Sequence, residues 1–282
     1  MKCAWDSLIA MLPPWMRQDV DKHGSQTLQE LRLRLHQRPE LITSTNCVFL
    51  DRSIQPEDIQ FCINTASRYS PWAAQTISHG YITAPGGHRI GLCGQTTVSE
   101  GNMVGIRSPN SLCIRIARDF PGIAKGTEAL TGSILIIGCP GSGKTTLLRD
   151  LIRIRSNTGQ GCISVVDEKG EIFPASTQGF FFDTGPRTDV LTGCTKAQGI
   201  DAVLRNMGPS AIAVDEITAQ EDCEALMRAC WCGVDLIATA HAGDKLDLMN
   251  RSVYRPLLDS KIFAHLVILR KDKSWYTERM YL

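Results

Sequence analysis

The residues from Gly138 to Thr145 form the pattern G-x-x-x-x-G-K-[ST] (Walker A), which is typical of a phosphate-binding loop between a strand and a helix. Glycines let backbone N–H groups converge on phosphate oxygens, and the helix that follows presents free N–H groups and the positive end of its dipole. Lys144 is placed to reach the β- and γ-phosphates, and Thr145 is placed to bind Mg²⁺ through its hydroxyl. The predicted nucleotide-binding residues are Gly138, Cys139, Pro140, Gly141, Ser142, Gly143, Lys144, Thr145 and Thr146.

Two acids end an apolar segment downstream of this loop, where Ala211 to Val214 precede Asp215 and Glu216. At the carboxyl end of a central parallel strand, both carboxylates would lie beside the phosphate loop. Asp215 is suited to the Mg²⁺ shell, and Glu216 is suited to a general base that positions the attacking water. The pair therefore predicts hydrolysis of a nucleoside triphosphate, with Lys144 and Glu216 as catalytic residues.

A second acidic strand end follows Val166 and consists of Asp167 and Glu168, with Glu171 close behind. Its simplest interpretation is a solvated turn. The functional interpretation adds these carboxylates to the metal and water network, with Asp167 near the metal and Glu168 among the catalytic residues.

A histidine, His241, ends the apolar segment that starts at Ile237. Histidines at strand ends are often structural. Here we expect the strand to lie next to the one that carries Asp215, which would bring His241 to the γ-phosphate region as a sensor or positioning residue.

The elements that carry these residues alternate between strand and helix patterns. The sequence predicts strands at 133–137, 162–167, 211–215, 234–239, 266–269 and 275–281, and helices at 144–155, 196–207 and 219–231. Such alternation is typical of a parallel sheet with helices on its faces. The predicted fold class is therefore α/β.

A smaller α+β domain is predicted for residues 1–125, and the nucleotide-binding domain for residues 126–282, with the junction inside 120–132. The predicted helices of the first domain are 7–12, 54–69 and 71–80, and the predicted strands are 31–35, 41–50, 81–83, 86–91, 103–106 and 112–117. No catalytic motif belongs to this domain.

The composition is ordinary for a globular protein, with 43% hydrophobic residues and a net charge of +1. Near-neutral charge argues against nucleic acid as the main partner. No apolar segment approaches the roughly 20 residues of a membrane span, so a cytoplasmic location is expected. The 11 cysteines contain no C-x-x-C pair, and we expect them to be small buried hydrophobes rather than zinc ligands.

Beyond the phosphate loop, the chain resembles the sporulation stage III protein AA family of ATPases, which are akin to type II and type IV secretion and pilus motor ATPases. The segments that carry the resemblance are Glu30 to Arg34, Gly86 to Gly91, Cys113 to Arg118, Gly138 to Thr145, Val166 to Glu168, Lys196-Ala197, Asp215 to Ile217, Glu221-Asp222 and Ala238 to His241. They span nearly the entire chain.

The resemblance implies a RecA-like ATPase domain behind a smaller N-terminal domain, with ATP and Mg²⁺ as ligands. It implies a homo-oligomer, a hexameric ring, associated peripherally with sporulation membrane proteins of the mother-cell-to-forespore channel. Asp167, Glu168 and Glu171 then match an acidic box, and His241 matches a histidine box.

Three arginines fall where N-terminal arginines of such motors approach the nucleotide: Arg89, Arg115 and Arg118. A guanidinium can stabilise charge on the transferred phosphoryl group, and Arg89 and Arg115 are therefore predicted to be catalytic. The alternative interpretation is a solvated strand face.

Two other functions compete with a motor. A RecA-like fold also carries nucleic-acid-dependent ATPases, but the chain lacks a basic stretch with interleaved aromatic residues. A non-hydrolysing nucleotide switch is the third hypothesis, and the presence of Glu216 argues against it because a switch has no need of a base.

Overall fold

The computed structural model describes residues 1–67, 77, 80–159, 161–176 and 179–281. The chain packs as two compact units: Met1–Asp119 with Ala175–Phe181, and Phe120–Pro174 with Phe182–Leu282. The first unit ends just before the predicted domain boundary at residue 125, which stays a prediction. The short segment at Ala175–Phe181 packs with the first unit although it lies far along the chain.

The first unit contains a six-stranded antiparallel sheet with the strand order β3-β2-β1-β6-β5-β4. Its strands are β1 Leu28–Arg34, β2 Glu40–Thr43, β3 Cys47–Phe49, β4 Tyr81–Thr83, β5 Arg89–Ser99 and β6 Asn102–Arg115. Its helices are α1 Trp5–Ala10, α2 Pro14–Asp21, α3 Gly24–Thr27 and α4 Pro56–Ser67, with a 3-10 turn at Pro85–Gly87. One face of β1 is buried through Leu28, Leu31 and Leu33, in the same core as α1, α2 and α4.

Several boundaries of the first unit differ from the sequence prediction. The predicted strand 41–50 is a hairpin, because the Thr43 hydroxyl bonds the carbonyl and side chain of Asn46 and turns the chain. The predicted strands 103–106 and 112–117 are one strand, β6, which continues through Pro109 at an irregularity opposite Gly94. A Cβ at Gly94 would lie 2.1 Å from the carbonyl oxygen of Ser108, so only glycine fits there. The predicted helix 71–80 lies outside the described residues except at positions 77 and 80.

The second unit is built on a seven-stranded sheet with the order β11-β8-β12-β13-β7-β14-β15. The strands are β7 Ile134–Gly138, β8 Ile163–Asp167, β11 Thr188–Thr192, β12 Ala211–Val214, β13 Asp235–His241, β14 His265–Leu269 and β15 Trp275–Arg279. The antiparallel pair β9 Ala175–Ser176 and β10 Gly179–Phe180 precedes β11 in the chain and belongs to the first unit. The helices are α5 Lys144–Thr158, α6 Lys196–Asn206, α7 Gln220–Trp231, α8 Lys245–Asn250 and α9 Arg255–Asp259, with a 3-10 turn at Ser252–Tyr254.

The central strands are parallel, and β15 pairs antiparallel with β14 at one edge. Strands β7, β8 and β12 are buried along their whole length, which explains their uninterrupted apolar sequences. The predicted α/β class with a mainly parallel sheet is confirmed. Strand β11 and helices α8 and α9 were not predicted, because their sequences are short and have weak periodicity.

Strand β13 lies between β12 and β7, as the sequence predicted for its contact with β12. Parallel strands end at the same edge of a sheet, so Asp215, His241 and the phosphate loop come together there. Among the described residues, no helix is long and apolar enough to cross a membrane.

The expectation for the cysteines holds at few positions. Cys62 and Cys223 are buried among apolar side chains. Four thiols are exposed instead, at Cys47, Cys93, Cys162 and Cys232.

Candidate active site

The phosphate loop joins the buried strand β7 to α5, which begins at Lys144 as predicted. Gly141 and Gly143 have φ values of 75° and 103°, in the left-handed region that favours glycine. An added Cβ at Gly141 would meet nothing within 4 Å, so open space lies over the loop at this point. The loop therefore has the backbone conformation and the free volume of a phosphate cradle.

The ammonium of Lys144 is held by its own loop. Nζ donates to the carbonyl oxygens of Gly138 at 2.9 Å and Cys139 at 3.1 Å, and lies 3.0 Å from Nδ1 of His241. Burial lowers the pKa of Lys144, and the charges of Asp215 and Glu216 oppose that shift. These carbonyls and the imidazole hold the only cation of the loop in the ligand-free protein.

His241 connects Lys144 to Glu216. An ammonium has only donors, so Nδ1 of His241 accepts from Lys144 and the ring proton is on Nε2. Nε2 donates to Oε1 of Glu216 at 2.5 Å, and the backbone N–H of His241 donates to the Tyr254 hydroxyl at 3.2 Å. The histidine thus lies between the predicted base and the predicted phosphate-binding lysine.

Asp215 accepts hydrogen bonds from two hydroxyls. Thr145 Oγ1 donates to Oδ2 at 2.6 Å, and Thr239 Oγ1 donates to Oδ1 at 2.5 Å. Donation to Asp215 leaves the lone pairs of the Thr145 oxygen available. Hydroxyl and carboxylate oxygens are the ligands that Mg²⁺ prefers, so Thr145 and Asp215 fit a Mg²⁺ site.

Glu216 follows Asp215 in an uncommon backbone conformation, with φ of 56°. Its N–H donates to Thr239 Oγ1 at 2.8 Å. Burial works to raise the pKa of its carboxyl group, but the hydrogen bond from His241 and the positive charges of Lys169 and Lys144 act against burial, and the pKa lies below its usual value. The carboxylate is therefore ionised at neutral pH.

The acidic end of β8 is bonded to backbone N–H groups rather than to side-chain hydroxyls. The carboxylate of Asp167 is buried and accepts the backbone N–H groups of Glu171 at 2.8 Å, Ile172 at 2.9 Å and Phe173 at 2.8 Å. Burial raises the pKa of Asp167 to about 6, although these donors act in the opposite direction. The side chain fastens the loop that follows β8, and its role as a metal ligand stays a prediction.

Glu168 lines a small pocket at the same sheet edge, together with Asp215 and Glu216. Its Oε2 accepts from Nζ of the buried Lys196 at 2.6 Å, and the same ammonium lies 3.7 Å from Asp222 Oδ2. Asp222 in turn accepts the backbone N–H of Ala219 at the start of α7. Lys196 thus joins the loop after β8 to the loop after β12.

The predicted arginines belong to the first unit. Arg89 and Arg115 are cross-strand partners on β5 and β6. Arg89 stacks on the ring of Tyr81 at 4.3 Å, whereas the side chain of Arg115 is 67% exposed with Glu30 at 3.8 Å. Their catalytic roles stay predictions.

Arg118 has a visible structural role in the first unit. Its Nε donates to the carbonyl oxygen of Ser25 at 2.8 Å, and Nη2 donates to that of Leu28. The guanidinium therefore holds α3 and the start of β1.

Sequence reasoning missed Thr239, Lys196 and Tyr254, which all hold site residues in place. Thr239 carried the clearest signal, because it is the one hydroxyl in the apolar run from Leu236 to Ala240 and shares a strand face with His241. Nothing in the sequence around Lys196 or Tyr254 indicates their partners, because those contacts join distant segments.

The profile of the family described as Sporulation stage III, protein AA matches residues 10–279 of the chain. Stage III sporulation protein AA of Bacillus subtilis (strain 168) is 34% identical over 282 residues, which cover 95% of this chain and 92% of that protein.

Solved structures of ATPases and motors share the fold. The Legionella pneumophila ATPase DotB is similar with a TM-score of 0.60 and 16% identity, covering 95% of this chain and 80% of that one. The pilus retraction motor PilT with bound ADP gives a TM-score of 0.61 and 17% identity, covering 90% of this chain and 77% of that one. These similarities confirm the RecA-like fold, and the family match confirms the resemblance found in the sequence. The chain belongs to the sporulation stage III protein AA family.

Proposed function

We propose that this chain is a Mg²⁺-dependent ATPase of the secretion-motor type, which energises a sporulation-associated membrane channel or export apparatus. One observation carries the proposal: the ionised Glu216 lies at the phosphate loop, bonded to His241, which also contacts Lys144. A protein that only binds nucleotide does not need a carboxylate held in this way. Family membership and the fold shared with the ATPase DotB and the motor PilT support the same conclusion.

Each residue of the site has a separate role in hydrolysis. Glu216 accepts a proton from the water that attacks the γ-phosphorus, a role for which its depressed pKa keeps it ionised. Lys144 exchanges its loop carbonyls for phosphate oxygens and offsets their charge. His241 is bonded to Lys144 and to Glu216, so it senses whether the lysine binds the loop carbonyls or a phosphate. Thr145 and Asp215 would hold Mg²⁺, which when bound neutralises charge on the β- and γ-oxygens.

Assembly extends the site in this proposal. The active form is a homo-oligomeric ring, a hexamer, in which an arginine of the N-terminal unit completes a neighbour's site. The exposed side chain of Arg115 supports this role better than Arg118, which is bonded within its own unit. The ring is cytoplasmic and docks on sporulation membrane proteins of the mother-cell-to-forespore channel.

The first experiment compares ATP hydrolysis by the wild-type chain and Glu216→Gln, with and without EDTA, and measures the mass of each with and without nucleotide. We expect hydrolysis that needs Mg²⁺, loss of that activity in the variant, and a nucleotide-dependent ring. Turnover that persists in Lys144→Ala would exclude the motor. Nucleotide binding without turnover would favour a switch, and salt-sensitive stimulation by single-stranded DNA would favour a nucleic-acid-dependent ATPase.

A mixing experiment tests the shared site. Arg115→Ala and Lys144→Ala chains, each inactive alone, should regain part of the turnover when they are mixed, because some sites then combine an intact loop with an intact arginine. No recovery in mixed rings of demonstrated composition would exclude Arg115 as the residue supplied by a neighbour.

A further inference from the structure

One buried hydroxyl contacts both acids that end β12. Thr239 lies in the middle of the sheet on β13, fully buried, and its Oγ1 donates to Asp215 Oδ1 at 2.5 Å while accepting the backbone N–H of Glu216 at 2.8 Å. A hydroxyl has one proton and two lone pairs, so it can make both bonds at once. The carbonyl oxygen of Thr239 also accepts the N–H of Ile217 at 2.9 Å.

The first consequence concerns the backbone at Glu216. A non-glycine residue with φ of 56° is sterically disfavoured and persists only where its surroundings hold it. The two bonds from Thr239 lie on either side of this residue, one at its own N–H and one at the next. They hold the conformation from which the Glu216 carboxylate reaches His241.

The second consequence concerns the orientation of Asp215. One carboxylate oxygen is bonded by Thr145 at the start of α5, and the other by Thr239 on β13. The plane of the carboxylate is therefore fixed by hydroxyls from two neighbouring elements. Without Thr239, one oxygen would lose its donor and the group could rotate.

We infer that Thr239 is a positioning residue, whose single hydroxyl sets the orientation of Asp215 and the backbone of Glu216 together. The inference deepens the proposed function and rests on it. Thr239 couples the metal-binding group to the base, so its removal should change the response to Mg²⁺ as well as the rate.

The test uses the full chain with Thr239→Val, which keeps the shape of the side chain, and Thr239→Ser, which keeps the hydroxyl. We expect the Mg²⁺ concentration for half-maximal ATP hydrolysis to rise about 10-fold or more in the valine variant, with a lower kcat, as for other residues that orient a metal ligand. The serine variant should restore both quantities to near the wild-type values.

The matched control is Ser164→Ala. Ser164 is fully buried on β8, which is separated from β13 by β12, and its hydroxyl has no hydrogen-bond partner within the described part of the chain. Loss of a buried hydroxyl as such should therefore leave the Mg²⁺ response unchanged.

A second readout does not need catalysis. Hydrogen exchange of the Glu216 N–H, followed by NMR, should be slow in the wild type and the serine variant and faster in the valine variant. Should the valine variant fold poorly, Thr239→Ala gives the same comparison with the hydroxyl removed.

The outcomes separate the inference from the proposed function. An active wild type whose valine variant keeps the wild-type Mg²⁺ response would overturn the inference alone, as would serine and valine variants that behave alike. A wild type that binds Mg²⁺-ADP in a fluorescence titration but does not hydrolyse ATP would overturn the proposed function, and the Mg²⁺ dependence of that binding, measured across the same variants, would still decide the role of Thr239.

Discussion

Two neighbouring strands of the nucleotide-binding unit end in the same dipeptide, and the protein uses the two copies differently. The last paired residues of β8 and β12 are Val166 and Val214, and each is followed by Asp-Glu. Asp167 accepts three backbone N–H groups, whereas Asp215 accepts two side-chain hydroxyls. The same residues at the same sheet edge thus bind the backbone of the following loop in one strand and side chains of neighbouring elements in the other.

The chain after each dipeptide determines the difference. After Glu168 the chain turns tightly at Gly170, with φ of 64°, so that the next amides point back at Asp167. After Asp215 the chain is instead bonded to Thr239 of β13, which leaves no amide for the Asp215 carboxylate. The place of a strand in the sheet brings its terminal carboxylate to the site, and the loop that follows determines which groups that carboxylate can bind.

The largest expected effect separates the two glutamates. Glu216→Gln should lower kcat by about 10²–10⁴-fold, because it removes the general base. Glu168 is also predicted to be catalytic, but its side chain bonds Lys196 rather than His241, so Glu168→Gln should lower kcat by less than Glu216→Gln does. Steady-state hydrolysis at saturating Mg²⁺-ATP measures both. Equal losses in the two variants would mean that both strand ends act on the attacking water.

The second prediction compares how much Asp167 and Asp215 contribute to the free energy of unfolding. Asp167→Asn places an NH₂ group among three backbone donors that cannot turn away, and should lower the free energy of unfolding by about 2–3 kcal/mol. Asp215→Asn should cost less than about 1 kcal/mol, because the hydroxyls of Thr145 and Thr239 can rotate and accept instead. Urea denaturation of the ligand-free chain tests this order, and the reverse order would contradict the assigned roles.

The smallest expected effect concerns Lys196, which links the loop after β8 to the loop after β12. Lys196→Met should lower the free energy of unfolding by about 1–3 kcal/mol, because Glu168 and the buried Asp222 lose their shared cation. Lys196→Arg should recover much of this, since it keeps the charge. Denaturation midpoints of the two variants provide the measurement. A methionine variant as stable as the wild type would show that the two loops are held independently.

The sequence predicted the strands around the site where a motif or a long apolar run was present, and of their order it predicted only that the strand with His241 lies next to the one with Asp215. The phosphate loop, Asp215 and Glu216 could be identified because their chemistry requires fixed residue types at fixed spacing. The hydrogen-bond partners of Asp167 and Thr239 could not be predicted, because such partners depend on how separate loops meet. In the first unit, the extent of β6 was missed because Pro109 reads as a strand end, and the irregular pairing with Gly94 that accommodates it is a tertiary feature.

The contacts of Lys144 mean that the loop itself contains competitors for the phosphate oxygens that this lysine would bind. The N–H donors of the Lys144 ammonium are bonded to two carbonyl oxygens and an imidazole, and a triphosphate would use the same donors. Binding of a triphosphate would therefore be an exchange of partners, and its affinity would report the difference between two sets of bonds.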